Sequence, residues 1–203
     1  MIALIDYGAG NLTSVKKALT SLGAGFTVPA TPDECSAVSG LIVPGVGHFA
    51  ATKALDASWR DGIGRAVQSG TPLLGICLGM QWLYEGSEEA PELPGLGALG
   101  GRCRLLKGDH EQRLKIPHVG WNALDIPRSS QLLAGLDSGT HVYFTHSFAA
   151  PVTADCVAAT THAERFAAAV ERDRVFGVQF HPEKSSDAGL RILRNFLECC
   201  RSC

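Results

Sequence analysis

The chain has 203 residues, of which 45 % are hydrophobic and 19 % charged, and its formal net charge is −2. This is an ordinary globular balance, and a chain of this length buries roughly 70 % of its unfolded surface without help from disulfides, so one domain over residues 1–203 is expected. Acids and bases are interspersed, with no basic stripe for nucleic acid, no polybasic or lipidation signal, and no apolar run near the ~20 residues of a membrane span. The apolar start, Met1 to Ile5, is stopped by Asp6 and lacks the charged flank and length of a signal peptide. Seven cysteines at irregular spacing read as reduced cytoplasmic thiols.

Met1 to Ile5 predicts a short buried strand, broken by Asp6-Tyr7-Gly8-Ala9-Gly10. Asn11 is placed to cap a helix with an apolar stripe at Leu12, Val15, Ala18, Leu19 and Leu22, and Gly23 ends it. Leu41-Ile42-Val43 is a second buried strand, ended by Pro44-Gly45-Val46-Gly47. Trp59 to Ser69 has helical spacing, with Gly70 as its stop. Pro72 to Ile76 is a third apolar strand and runs directly into Cys77 and a helix through Met80 and Leu83. All-apolar strands alternating with helices predict a parallel sheet covered on both faces.

The second half reads as extended segments: 97–107, 116–126, 141–149 and 155–160. Phe166 to Glu171 and Val175 to Phe180 flank a hairpin turn at Arg172-Asp173-Arg174. A last helix begins near Ser186 or Asp187 and buries Leu190, Leu193, Phe196 and Leu197. Glu85 to Leu96, acidic and containing Pro91 and Pro94, is the most loop-like stretch.

Three strings carry chemistry. Gly75-Ile76-Cys77-Leu78-Gly79 has the form of a nucleophile elbow with cysteine in the nucleophile slot. Such a nucleophile sits on a strained strand-to-helix turn that bulky neighbours would obstruct, and a helix N-terminus with a nearby imidazole favours a thiolate there. The N–H of Leu78 would face an oxyanion. A buried, inert cysteine is the plain alternative for Cys77, and the flanking glycines weigh against it. In Gly177-Val178-Gln179-Phe180-His181-Pro182-Glu183, a strand ends in His181, and Glu183 at i+2 of an extended segment can orient its imidazole. The alternative is an exposed pair opening the last helix. Pro44-Gly45-Val46-Gly47 lies at the carboxyl end of a parallel strand, where ligands bind in such sheets. Its N–H groups can complete the oxyanion hole, and glycines on both sides of Val46 ease rotation of a peptide plane. An ordinary strand-to-helix turn is the alternative.

Together these strings resemble the class I, or triad, glutamine amidotransferases over nearly the whole chain. Five stretches, two of them shared with these strings, are similar to the family of glutaminase subunits of imidazole glycerol phosphate synthase: Ile5 to Leu12, Pro44 to Gly47, Pro117 to Asn122, Tyr143 to Phe148 and His181 to Ser185. Val119 stands where that family often has methionine. The resemblance implies a doubly wound, flavodoxin-like α/β sheet, mostly parallel, with an additional antiparallel region. It implies catalysis by Cys77, His181 and Glu183, and an oxyanion hole from Gly45, Val46, Gly47 and Leu78. It implies glutamine held by Gly47, Gln81, Glu89 and the backbone around Ser147, and no metal or organic cofactor. It also implies a heterodimer with a (β/α)₈ cyclase that receives the ammonia, met by Asn11, His118, Trp121 and Lys184. A glutaminase of another class I complex, a cysteine hydrolase acting on peptides, and a binding subunit without activity are the competing readings. Cys200-Arg201-Ser202-Cys203 is read as incidental spacing at a chain terminus.

Overall fold

A computed structural model describes every residue except 11, 110, 112, 113, 202 and 203. The expected cap at Asn11 and the terminal Cys203 lie outside the described residues. The strands are β1 (Ile2–Leu4), β2 (Phe26–Thr27), β3 (Gly40–Gly45), β4 (Leu73–Cys77), β5 (Gly86–Ser87), β6 (Arg102–Leu105), β7 (His118–Ala123), β8 (His141–His146), β9 (Phe148–Ala149), β10 (Cys156–His162), β11 (Glu164–Arg172) and β12 (Val175–Val178). The α-helices are α1 (Leu12–Ser21), α2 (Ala57–Gln68), α3 (Leu78–Trp82) and α4 (Ser186–Cys199).

Seven strands form the main sheet in the order β10-β11-β12-β4-β3-β1-β2. From β12 to β2 the neighbours are parallel, and β11 and β10 extend the β12 edge antiparallel. The parallel part has the flavodoxin-like order. Alternation of side chains along the strands builds two cores. Ile2, Leu4, Ile42, Leu74 and Ile76 face Val15 and Leu19 of α1 and Ile192, Leu193 and Phe196 of α4. Ala3, Leu41, Val43 and Leu73 face the other way, toward Ile63 and Ala66 of α2 and Leu78 and Met80 of α3. Both faces of the sheet are therefore apolar, and this is why its strands read as continuous hydrophobic runs.

Helix α2 begins two residues before the predicted Trp59, because the Asp56 carboxylate accepts a hydrogen bond from the Trp59 N–H at 3.1 Å and caps it. The predicted hairpin is present, with Asp173 at φ 51° in its turn. β7 and β8 pair with each other as a separate antiparallel ribbon beside the sheet. The loop-like stretch from Glu85 is a tied segment: the Gly95 and Glu85 backbones are bonded, and β5 pairs with β6. Cys200 is buried, with its sulfur where a Gly40 side chain would be, so it belongs to the core.

Candidate active site

The carboxyl ends of four neighbouring parallel strands converge on one place. β1 leads to Tyr7, β3 to Gly45, β4 to Cys77 and β12 to Gln179 and His181. Gly45 and Cys77 are register partners across β3 and β4, so the glycine turn and the thiol lie side by side.

Cys77 has φ 53° and ψ −108°, a left-handed backbone that costs a non-glycine residue about 1–3 kcal/mol. Its two flanking glycines explain how it is held. A Cβ on Gly75 would lie 2.6 Å from the Gly79 carbonyl oxygen, and one on Gly79 would lie 1.8 Å from that of Val43. Only bare backbone closes the elbow against β3. The helix that follows, α3, is a single short turn of five residues, less than the helix expected through Leu83.

His181 and Glu183 meet as expected but by a different local geometry. β12 ends at Val178, and Pro182–Lys184 is a 3₁₀ turn rather than a continued strand. Proline at its first position starts the turn and brings Glu183 Oε1 to 2.8 Å from His181 Nδ1. A carboxylate only accepts, so Nδ1 carries the proton and Nε2 is left as the working nitrogen. Both side chains are nearly inaccessible, and among the described residues Nε2 finds no well-aligned hydrogen-bond partner. Burial opposes charge on this ring. Its interactions with Cys77 and Glu183 outweigh that and push the imidazole up to about 10, so it is an imidazolium at neutral pH. The backbone of His181 is fixed from both sides: its N–H donates to the Tyr143 carbonyl, and its carbonyl accepts from the Ser185 hydroxyl.

A pocket of about 260 Å³ opens over the thiol. Its walls include Gly47, Cys77, Leu78, Gln81, Glu89, His146 and Ser147. The four residues expected to hold substrate thus line one pocket with the cysteine. Glu89 is anchored by the Phe49 N–H at 2.7 Å. Gln81 donates through Nε2 to the Phe148 carbonyl at 2.8 Å, which turns its Oε1 into an acceptor for a ligand. His146 Nδ1 donates to the same carbonyl, and His118 Nδ1 then donates to His146 Nε2 at 3.1 Å. Burial, the largest cause for both, pushes His118 down to about 4 and His146 down to about 3, so both rings are neutral.

Behind the pocket, the Tyr7 hydroxyl is buried with no hydrogen-bond partner among the described residues. It fills the space a Gly45 side chain would take, 2.0 Å from that ideal Cβ position, and Leu78 Cβ lies 2.9 Å from the same point. Burial, then the neighbouring Cys77, raises the phenol well above its ordinary range, so it stays protonated. Gly47 has φ 102°, a backbone favoured by glycine.

The expected interface residues are placed unevenly. Trp121 is 52 % exposed. It stands edge-on to Tyr143, and Lys184 Nζ lies 5.9 Å above the Tyr143 ring, so the three form a surface row next to His181. His118 is instead buried, stacked between Phe144 and His162, because the register of β7 turns it inward. It can affect the surface only through its neighbours. Asn11 lies outside the described residues. Gln179 contacts the thiol, and its one signal in the sequence is its place two residues before His181.

The fold and this elbow define an open α/β sheet with a cysteine at its carboxyl edge backed by a His–Glu pair. Residues 3–199 match the family described as Glutamine amidotransferase class-I. The imidazole glycerol phosphate synthase subunit HisH of Gloeobacter violaceus is 48 % identical, over 97 % of this chain and 88 % of the relative. The subunit of the same name from Geobacillus thermodenitrificans is 47 % identical, over 97 % of this chain and 95 % of its own. A crystal structure of a glutamine amidotransferase superimposes with TM-score 0.77 over 99 % of this chain and 100 % of that one, at 22 % identity, a likeness of fold. The chain belongs to the class I glutamine amidotransferases and, among them, to the HisH subunits of imidazole glycerol phosphate synthase.

Proposed function

We propose that residues 1–203 act as one glutaminase domain, which hydrolyses glutamine to glutamate and ammonia through a Cys77 thioester. The observation that supports this best is the buried His181–Glu183 pair beside a strained Cys77 under the pocket. Glutamine enters with its amide over the sulfur, and Gln81, Glu89, Gly47 and the backbone around Ser147 hold its other end. The thiolate attacks the amide carbon. The resulting oxyanion is met by the Leu78 N–H and by N–H groups of the turn at Gly45, Val46 and Gly47. The His181 imidazolium gives its Nε2 proton to the leaving amine, and the C–N bond breaks to release ammonia. His181, now neutral, takes a proton from water, which attacks the thioester and frees glutamate.

Ammonia in open water becomes ammonium and is lost to synthesis. The enzyme is therefore read as half of a heterodimer whose (β/α)₈ cyclase takes the ammonia directly and makes imidazole glycerol phosphate in histidine biosynthesis. The Trp121–Tyr143–Lys184 row supports this face as the docking surface, because Trp121 and Lys184 are exposed and the half-buried Tyr143 between them is bonded to the backbone of His181. The irregular cysteine pattern supports a reducing, cytoplasmic setting.

The competing reading, a glutaminase from another class I complex, is tested by the same experiment. Glutamate production is measured for the subunit alone, with the cyclase, and with the cyclase and its ligand. The turn at Gly45 to Gly47 can present either a carbonyl or an N–H to the oxyanion. One missing donor lowers rate by about 10²–10³, so the liganded complex should exceed the isolated subunit by at least about a hundredfold. Equal rates in all three states would refute this partner and this control.

A further inference from the structure

Gln179 is fully buried immediately after β12. Its side-chain amide joins two parts of the site. Oε1 accepts from Gln81 Nε2 at 3.1 Å, and Nε2 donates to Cys77 Sγ at 3.7 Å. The direction of this chain follows from one backbone carbonyl. Phe148 O can only accept, so Gln81 must present its NH₂ there. Gln179 must then offer its oxygen to that NH₂, which leaves its own NH₂ facing the sulfur. The Gln179 main chain is fixed as well, its N–H donating to Ala168 O at 2.9 Å.

Besides Gln179 and the His181 ring, the sulfur meets the Thr145 carbonyl at 3.8 Å. That oxygen can accept from a thiol but can do nothing for a thiolate. The Gln179 N–H serves the sulfur in either state and binds it more strongly once it is charged. A primary amide buried for packing alone would leave its donors and acceptor unpaired, which is unfavourable. This one directs one end to the nucleophile and the other to a residue of the pocket wall.

We propose that Gln179 is a further group acting on the nucleophile: its amide N–H holds the Cys77 sulfur in position for attack and ties it to Gln81. This rests on Cys77 being the nucleophile of the reaction proposed above. During attack, electron density leaves sulfur for the new C–S bond. The Gln179 donor keeps the sulfur's lone pairs oriented, and no proton moves through the amide.

The test is the rate of Cys77 alkylation by iodoacetamide at neutral pH without glutamine, mapped by mass spectrometry, alongside glutamine turnover of the complex. A hydrogen bond to a charged group contributes about 1.5–3 kcal/mol, so Gln179→Met should slow alkylation and turnover about tenfold or more. Gln179→Glu keeps the shape and separates donation from packing. A carboxylate facing the sulfur repels it, and a protonated carboxyl donates. The activity of this variant relative to wild type should therefore recover as pH falls from about 8 to about 6, the range in which a buried carboxyl titrates. Wild-type alkylation rates in Gln179→Met, or a Gln179→Glu profile parallel to wild type, would overturn the proposal. If Gln179→Met fails to fold, the Gln179→Glu profile decides alone. Absence of glutaminase activity in the wild-type complex would instead overturn the proposed reaction, and the alkylation comparison would still read Gln179.

Discussion

Gly45→Ala tests whether the glycine turn belongs to the chemistry. The added Cβ would lie 2.0 Å from the Tyr7 hydroxyl, 3.2 Å from Tyr7 Cζ and 2.9 Å from Leu78 Cβ. Tyr7 is buried and the elbow is locked by Gly75 and Gly79, so neither neighbour gives way easily. The strain falls on the turn itself. A shift large enough to lose one oxyanion donor lowers kcat by about 10²–10³, or roughly 2.7–4 kcal/mol in barrier. KM for glutamine should rise by less than kcat falls, because Gln81, Glu89 and Ser147 stand on other segments and only Gly47 among the pocket residues shares the strained turn. Tyr7→Phe removes the atom responsible for the shortest contact but leaves Leu78 Cβ, so the double variant should recover only part of the loss. The assay is steady-state glutamate formation by the liganded complex for wild type, both single variants and the double variant, with a thermal melt of each. Wild-type kcat in Gly45→Ala would refute the claim that this turn stabilises the transition state. Strictly additive effects in the double variant would refute the contact as its cause.

The His181 titration gives a stability test. Its pKa is raised in the fold from 6.5 to about 10, so folding retains a proton between those values. Its contribution to stability is complete below about pH 6.5 and is lost as pH rises to about 10. The melting-temperature gap between wild type and His181→Gln should narrow over that window, and a constant gap would contradict the pairing. Glu183→Gln removes the carboxylate that raises His181, so the alkaline limb of the glutaminase profile should move to lower pH; an unmoved limb would contradict its role. Lys184→Ala should leave the isolated subunit unchanged and lower partner-stimulated turnover about two- to fivefold, as a contact of about 0.5–1 kcal/mol at a surface allows. Unchanged coupling of glutamine to cyclase turnover would remove Lys184 from the interface.

Much of this was legible in the sequence because it depends on local rules. Apolar runs at 1–5, 41–43 and 72–76 gave buried parallel strands, and glycines at 75 and 79 marked a turn that only backbone can close. What was not legible depends on contacts between distant segments. Gln179 reaches Cys77 across 102 residues of sequence, and nothing local distinguishes it from a strand-end polar residue. The inward turn of His118 is set by the pairing of β7 with β8, which the string around it does not fix. The His181–Glu183 contact was expected from an extended backbone and arises from a 3₁₀ turn, because Pro182 suits the first position of such a turn. The cap at Asp56 was missed because the apolar spacing first shows at Trp59, three residues later.

The most direct test of the central claim uses Cys77→Ala in the complex with the cyclase. Cyclase turnover is measured with glutamine as the nitrogen source and again with an ammonium salt. The account predicts that glutamine-driven turnover is lost while ammonium-driven turnover stays at the wild-type rate, because the cyclase site is elsewhere and only the thioester route is removed. Glutamine-driven turnover that survives in this variant would contradict it.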